Sequence, residues 1–292
     1  MRRALLWLDG RTRRPRRFAI SMRDARPGLF EDQLQADAEF VFKDGGAYGP
    51  AYFALISAGP NTPCSQYHKN TAELKDGDLV QFDYAPDYKY YTSDVTRVFP
   101  ATGHFSPRQR ELYSIYLQLY RALMSSIAVH VAPRAVVAAA IEKMDAAVAA
   151  YPFTDQSIRA AATRFVDGYR TRRNVTTLGH AVGMKVHDVG GPPPTLEPGM
   201  IFTIEPAMQL PDEHLGIRLE DMILVTDAER GRESFPASLS EETVPDPCGS
   251  RVRSSGETRE SGPFSCGRAR VRGNDSRPPV EIRGIVKTVP DP

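Results

Sequence analysis

Two pairs of apolar stretches carry acidic residues where a strand should be greasy, and this limits what the chain can become. Asp78–Ala85 (DLVQFDYA) and Tyr90–Phe99 (YYTSDVTRVF) flank the turn-like Pro86-Asp87, and Met200–Met208 (MIFTIEPAM) and Ile217–Thr226 (IRLEDMILVT) flank Pro211–Gly216. Each pair reads as an antiparallel hairpin. Closing the first near Tyr88 brings Asp83 and Asp94 to nearby positions of one face. In the second, Ile201, Thr203 and Glu205 share one parity, as do Arg218, Glu220 and Met222. Carboxylates grouped on a half-buried sheet repel one another and are costly to desolvate, and divalent cations remove that cost. Four carboxylates and an imidazole suit hard to borderline ions such as Mn²⁺, Co²⁺, Fe²⁺ or Zn²⁺.

Helices lie between the hairpins. Phe30–Phe42 repeats Leu34, Ala38 and Val41 at helical spacing, and Ser106-Pro107 is an N-cap with proline at the first helical position. Behind that cap Leu112, Ile115, Tyr116, Leu119 and Leu123 form one stripe, and Ala135–Ala150 and Asp155–Tyr169 complete the helical set. Ala51–Ala58 is a further strand. Hairpins interleaved with helices give an α+β domain rather than a parallel doubly wound one.

The 292 residues divide into three zones: a basic arm over 1–17, a patterned domain over 18–245, and a Ser-, Gly-, Pro- and Arg-rich tail over 246–292. The tail has few large apolar residues to offset chain entropy and is expected to be disordered. A net charge of +1 gives no global drive toward nucleic acid or membrane. The arginines at 11–17 have no aromatic platform beside them, so nucleic acid is not an expected partner. Apolar runs fall short of the roughly 20 residues of a membrane helix, and Ala4–Leu8 is too short for a signal-peptide core. The three cysteines, Cys64, Cys248 and Cys266, are odd in number and far apart. They favour a reducing compartment, with a cytoplasmic location expected.

The stretch GHAVGMKVHDVGG (179–191) sets two of the six histidines seven positions apart. That interval alone does not separate a ligand from a substrate contact or a packing residue. Asp188 beside the second histidine is either a partner that orients an imidazole or a turn carboxylate.

Taken together, AGPNTPCSQYHKN, VQFDYAPDYKYYTSDVTRVF, LGHAVGMKVHDVGG, LEPGMIFTIEPAM and GIRLEDMILVT resemble the blocks of the pita-bread metallopeptidases over roughly residues 20–230. That group includes methionine aminopeptidases, aminopeptidase P and prolidase, and AGPN…H, VHDVGG and GIRLED are most similar to the Xaa-Pro aminopeptidase branch. The resemblance implies a curved antiparallel sheet with outer helices and a central dinuclear metal site. It places the metal ligands at Asp83, Asp94, His180, Glu205 and Glu220, with Asp94 and Glu220 bridging two divalent ions, Mn²⁺ foremost. His68 and His187 fall on the substrate side, joined by Arg218, which matches a branch arginine, and Glu205 is expected to be both ligand and proton carrier. The implied activity is hydrolysis of the first peptide bond of peptides with a free N-terminus, an Xaa-Pro bond foremost, by a metal-bridging hydroxide. Xaa-Pro dipeptidase and methionine or general aminopeptidase are the alternatives within the class. A non-catalytic pita-bread binding protein and a metal-free creatinase-like hydrolase lie outside it, and a complete ligand set disfavours both. A homodimer is a further expectation. Members of the branch carry another domain ahead of the catalytic one, where this sequence has only its arginine-rich arm.

Overall fold

The computed structural model describes residues 20–171, 178–191 and 193–226, and the backbone of 286–289. The basic arm over 1–17 and most of the expected tail lie outside the described residues.

The chain order is helix α1 (Ile20–Asp24), α2 (Glu31–Asp44), strands β1 (Gly49–Pro50), β2 (Leu55–Ala58), β3 (Leu79–Asp83), β4 (Pro86–Asp87) and β5 (Thr96–Pro100). Helices α3 (Pro107–Met124), α4 (Pro133–Ala150) and α5 (Gln156–Thr171) follow. Strands β6 (Ile201–Ile204), β7 (Ala207–Leu210), β8 (Leu215–Arg218), β9 (Asp221–Val225) and β10 (Val286–Val289) complete the order. The expected helices form within a few residues of their anticipated ends. At α3, Ser106 accepts from the Gln109 amide while Gln109 Oε1 accepts from the Ser106 amide, with Pro107 in the first turn, which satisfies two otherwise free donors.

Strands β2, β3 and β5 form one antiparallel sheet in the order β2-β3-β5. Strand β6 pairs antiparallel with β9, and β7 with β8. Both pairings keep a single register, because Ile204 lies opposite Asp221 and Ala207 opposite Arg218. They are therefore one long hairpin, open at the two positions where Glu205 faces Glu220 and Pro206 faces Leu219. An isolated bridge between Thr96 and Glu220 joins this hairpin to the β2-β3-β5 sheet.

Alternation along the strands decides which face the helices cover. Phe202, Ile204, Leu219 and Ile223 pack with Leu112, Ile115, Tyr116 and Leu119 of α3 and with Ile158, Ala162 and Phe165 of α5. Leu34, Ala38 and Phe42 of α2 pack on Ile56, Val80, Phe82 and Phe99. Each fully buried Leu or Ile in these clusters contributes about 1.5–3 kcal/mol relative to exposure. The opposite parity, Asp83, Thr203, Glu205 and Glu220 among it, is left for the inner face.

Three details differ from the sequence reading. The first hairpin, expected to close near Tyr88 just after the turn-like Pro86-Asp87, turns at Lys89 and Tyr90, both at positive φ (56° and 67°), under a Tyr88–Tyr91 bridge. Pro86-Asp87 is itself a short strand on Gly49–Pro50. Neither Lys89 nor Tyr90 is a residue type that announces a left-handed turn, so the Pro-Asp pair gave the stronger signal. Second, each long strand of the second hairpin is broken at its glutamate. Third, Val286–Val289 lies parallel to β9, so these four β-branched-rich residues form a strand inside the segment expected to be disordered.

Candidate metal centre

Three chain segments converge on the inner face. Asp83 ends β3 opposite Thr96, and Asp94 lies just before β5. Glu205 and Glu220 face each other at the opening of the second hairpin. His180 arrives on a segment laid along β6, where the Thr203 amide donates to its carbonyl at 3.0 Å and Ala181 bridges Phe202. Glycine at 179 is required by this approach, since a Cβ there would sit 1.9 Å from the Thr203 carbonyl oxygen.

His180 Nε2 lies 3.3 Å from Asp94 Oδ2, 3.3 Å from Glu205 Oε1 and 4.0 Å from Glu220 Oε1. Ligand atoms of Asp94, His180 and Glu220 all fall within 4.8 Å of one another, a spacing that suits a shared ion. His180 Nδ1 stands 3.2 Å from the Ala181 carbonyl, which can only accept, so Nδ1 carries a proton and Nε2 is the nitrogen free to ligate.

The site fits metal on its own electrostatics. Glu220 is 1% exposed, and while its Oε2 accepts from the Thr96 hydroxyl at 2.8 Å, its Oε1 has no hydrogen-bond partner. Burial, and then the charges of Asp94, Asp83 and Glu205, push its carboxyl well above the usual range. Burial lifts Asp83 to about 6 against the pull of Arg218, with Asp94 and Glu205 adding to the rise. Burial opposes charge on His180, yet its hydrogen bonds to Asp94 and Glu205 prevail and raise it to about 10. Protons are standing in here for a multivalent cation, which would neutralise the carboxylates and take the imidazole lone pair.

The other anticipated residues are placed as follows. His187 is exposed, its ring 4.3 Å centroid to centroid from His180. His68 is also exposed, with Nδ1 at 2.9 Å from the Gln66 carbonyl and its ring against Phe53 at 5.5 Å. Its loop is fastened to the β7–β8 hairpin by Gly216 N to Thr62 Oγ1 (2.9 Å) and Gln209 Nε2 to the Pro63 carbonyl (3.1 Å). Arg218, expected on the substrate side, is buried beside Asp83, where its Nη2 pairs with Asp83 Oδ2 and its Nη1 donates to the Ser65 carbonyl. A carboxylate among three others and far from bulk water draws the nearest guanidinium to itself. The Asp188 oxygens accept from the Met184 and Val189 amides and brace the 183–189 loop, the role of a turn carboxylate.

Two contributors were missed in the sequence. Tyr52 donates from its hydroxyl to Asp83 Oδ1 at 2.8 Å. Arg97 donates to the Glu220 carbonyl at 2.7 Å and pairs with Asp221 at 2.6 Å. Tyr52 was legible only as part of an apolar strand, and Arg97 only as an alternating strand residue.

The sequence profile of metallopeptidase family M24 matches residues 16–227. The chain belongs to this family. Among its relatives, the Xaa-Pro aminopeptidase of Escherichia coli (strain K12) is 34% identical over 245 residues, 75% of this chain and 51% of that protein. Intermediate cleaving peptidase 55, mitochondrial, of Arabidopsis thaliana is 31% identical over 223 residues, 73% of this chain and 43% of that protein. Among solved structures, aminopeptidase PepP of Pseudomonas aeruginosa superposes with a TM-score of 0.62 at 32% identity, covering 77% of this chain and 52% of that one. The chain spans about half the length of the curated relatives it matches. The fold is the pita-bread α+β fold of this family. Among the described residues no helix is long and apolar enough to cross a membrane.

Proposed function

We propose that the chain carries the catalytic unit of a dinuclear metal-dependent aminopeptidase that hydrolyses the first peptide bond of peptides, an Xaa-Pro bond foremost. The observation that carries this reading is the convergence of Asp94, His180 and Glu220 within 4.8 Å, with Glu220 Oε1 buried and unpartnered. Relatives named Xaa-Pro aminopeptidase support the bond preference.

Asp83, Asp94, His180, Glu205 and Glu220 would hold two divalent ions, Mn²⁺ foremost, with Asp94 and Glu220 shared between them. Such ions, when bound, supply Lewis acidity and lower the proton affinity of water. Glu205 is the group placed to move the proton. It is half-buried at the mouth of the site; burial favours its neutral form, but the His180 hydrogen bond and charge outweigh this and hold its carboxyl below the usual range. As a carboxylate it accepts the proton released when water attacks the carbonyl carbon, and it returns that proton to the departing nitrogen as the C–N bond breaks. His187, exposed beside His180, donates to the oxygen that gains negative charge. His68, exposed against the Phe53 ring, positions the chain of the substrate.

The test compares cleavage of an Xaa-Pro-Xaa tripeptide, an Xaa-Pro dipeptide and a Met-Ala-Xaa peptide, each with Mn²⁺ and with chelator. Metal-dependent release of the first residue from the proline tripeptide is expected. Cleavage of the dipeptide alone would assign an Xaa-Pro dipeptidase, and cleavage of the Met peptide alone a methionine aminopeptidase. Failure on all three with every divalent ion supplied would overturn the enzyme reading.

A further inference from the structure

Where the long hairpin opens, the direct ladder bond between Leu219 and Pro206 is replaced by a side chain from α3. The Tyr116 hydroxyl accepts from the Leu219 amide at 2.7 Å and donates to the Pro206 carbonyl at 2.6 Å. A hydroxyl has one proton to give and lone pairs to receive, so it bridges an N–H and a C=O that would otherwise pair with each other. With two bonds in series, the strands stand further apart here than one direct bond of about 2.9 Å would allow. The flanking positions, Ile204 opposite Asp221 and Ala207 opposite Arg218, keep normal pairing in the same register. The opening is therefore local and held from outside, and Glu205 and Glu220 are the residues next to it.

Nothing about this insertion is loose. Tyr116 is fully buried, its ring edge-on to Phe165 at 6.0 Å and stacked by Tyr120 at 6.3 Å. On the far side of Glu220, the freed backbone is claimed by the first sheet: the Glu220 amide donates to the Thr96 carbonyl at 3.1 Å and Arg97 donates to the Glu220 carbonyl. Tyr120 completes that side by donating to Asp221 Oδ2 at 2.8 Å.

We infer that Tyr116 is a positioning residue for the metal centre, its hydroxyl acting as a wedge that fixes the separation of Glu205 and Glu220. This rests on the reading of the acidic cluster as a metal centre. Removing the hydroxyl leaves the Leu219 amide and the Pro206 carbonyl free to close on each other, drawing the two glutamates out of their spacing. Groups that orient metal ligands from behind typically change affinity 10- to 100-fold when lost.

The experiment titrates the full chain, stripped of metal, with Mn²⁺ by calorimetry and with Co²⁺ by visible absorption. Tyr116→Phe is expected to bind at least about tenfold more weakly than wild type and to shift the Co²⁺ spectrum. Leu123→Ala, buried on the same helix about two turns beyond Tyr116, is expected to lower the melting temperature while leaving affinity and spectrum unchanged. Equal binding by Tyr116→Phe and wild type, or equal weakening by Leu123→Ala, overturns the wedge. Amide exchange in the wild-type chain gives a readout independent of any variant: Leu219 is expected to exchange slowly without metal, and fast exchange overturns the wedge. If wild type binds neither ion, the metal-centre reading fails instead, and Leu219 exchange still decides whether Tyr116 holds the opening.

Discussion

Thr96 gives its hydroxyl proton to one oxygen of Glu220 and leaves the other oxygen, Oε1, buried with no hydrogen-bond partner. A carboxylate in that position, close to three others, is built for a cation at the expense of the metal-free fold. Glu220→Gln keeps the shape and the Thr96 bond and removes the ionisable group. It is expected to stabilise the chelator-treated protein by about 1–3 kcal/mol, seen as a melting temperature several degrees higher. The same variant should lose metal binding and turnover. A melting temperature below that of the metal-free wild type would show that Glu220 is not under electrostatic load.

Tyr52 fixes one oxygen of Asp83, and burial followed by the Asp83, Asp94 and Glu220 charges keeps its phenol firmly protonated as a donor. Tyr52→Phe is expected to weaken divalent-metal affinity about 10- to 100-fold, measured by competition with a chelating dye, with a small change in melting temperature. Unchanged affinity would reduce Tyr52 to a space-filling role.

How much of this was legible in the sequence depends on distance along the chain. Caps and stripes are local, so α3 was visible from Ser106, Pro107, Gln109 and its apolar spacing, as were the other long helices. The five acidic and imidazole residues were visible as a set through ordered motif blocks, and parity placed Glu205 and Glu220 on one face. The breaks beside those glutamates were not visible, because the period-2 pattern runs through them without interruption. Their cause, Tyr116, lies 90 residues from Pro206 and 103 from Leu219 and reads in sequence as one more core position. Arg218 entered through its match to a motif block, and only the fold shows Asp83 beside it.

Gly179 is where the backbone of the histidine segment meets β6. A Cβ there would stand 1.9 Å from the Thr203 carbonyl oxygen and 2.7 Å from its Oγ1, and the nearest obstacle is backbone that cannot swing aside. Gly179→Ala is expected to push the segment off β6, breaking the Thr203-to-His180 bond and moving the imidazole away from Asp94 and Glu205. Metal affinity should fall by at least tenfold, with a loss of roughly 1–3 kcal/mol in stability. Gly190→Ala, with no atom within 4 Å of the added Cβ but φ at +149°, tests backbone conformation in the same segment without the collision. If Gly179→Ala binds metal as wild type does, the close approach does not fix His180.

The titrating groups of the centre set a pH dependence whose sign can be worked out. His180 rises from 6.5 to about 10, since its bonds to Asp94 and Glu205 overcome burial, so its contribution to stability is full below pH 6.5 and is lost as pH climbs toward 10. Burial takes Asp83 from 3.8 to about 6, so the native state holds a proton that the unfolded chain has released, and stability falls as pH rises through that window. Glu205 is lowered and acts the other way, but its contribution is complete above the ordinary carboxylate range. From pH 6.5 to 9 the chelator-treated protein should therefore melt at steadily lower temperature. Metal binding runs opposite, because an ion on Nε2 must displace the His180 proton, which strengthens binding by up to about tenfold per pH unit for each proton released. The rise in melting temperature on adding Mn²⁺ should accordingly grow between pH 6.5 and 9. Thermal melts across that range with metal and with chelator check both slopes, and a metal-induced increment that shrinks with rising pH would remove His180 from the ligand set.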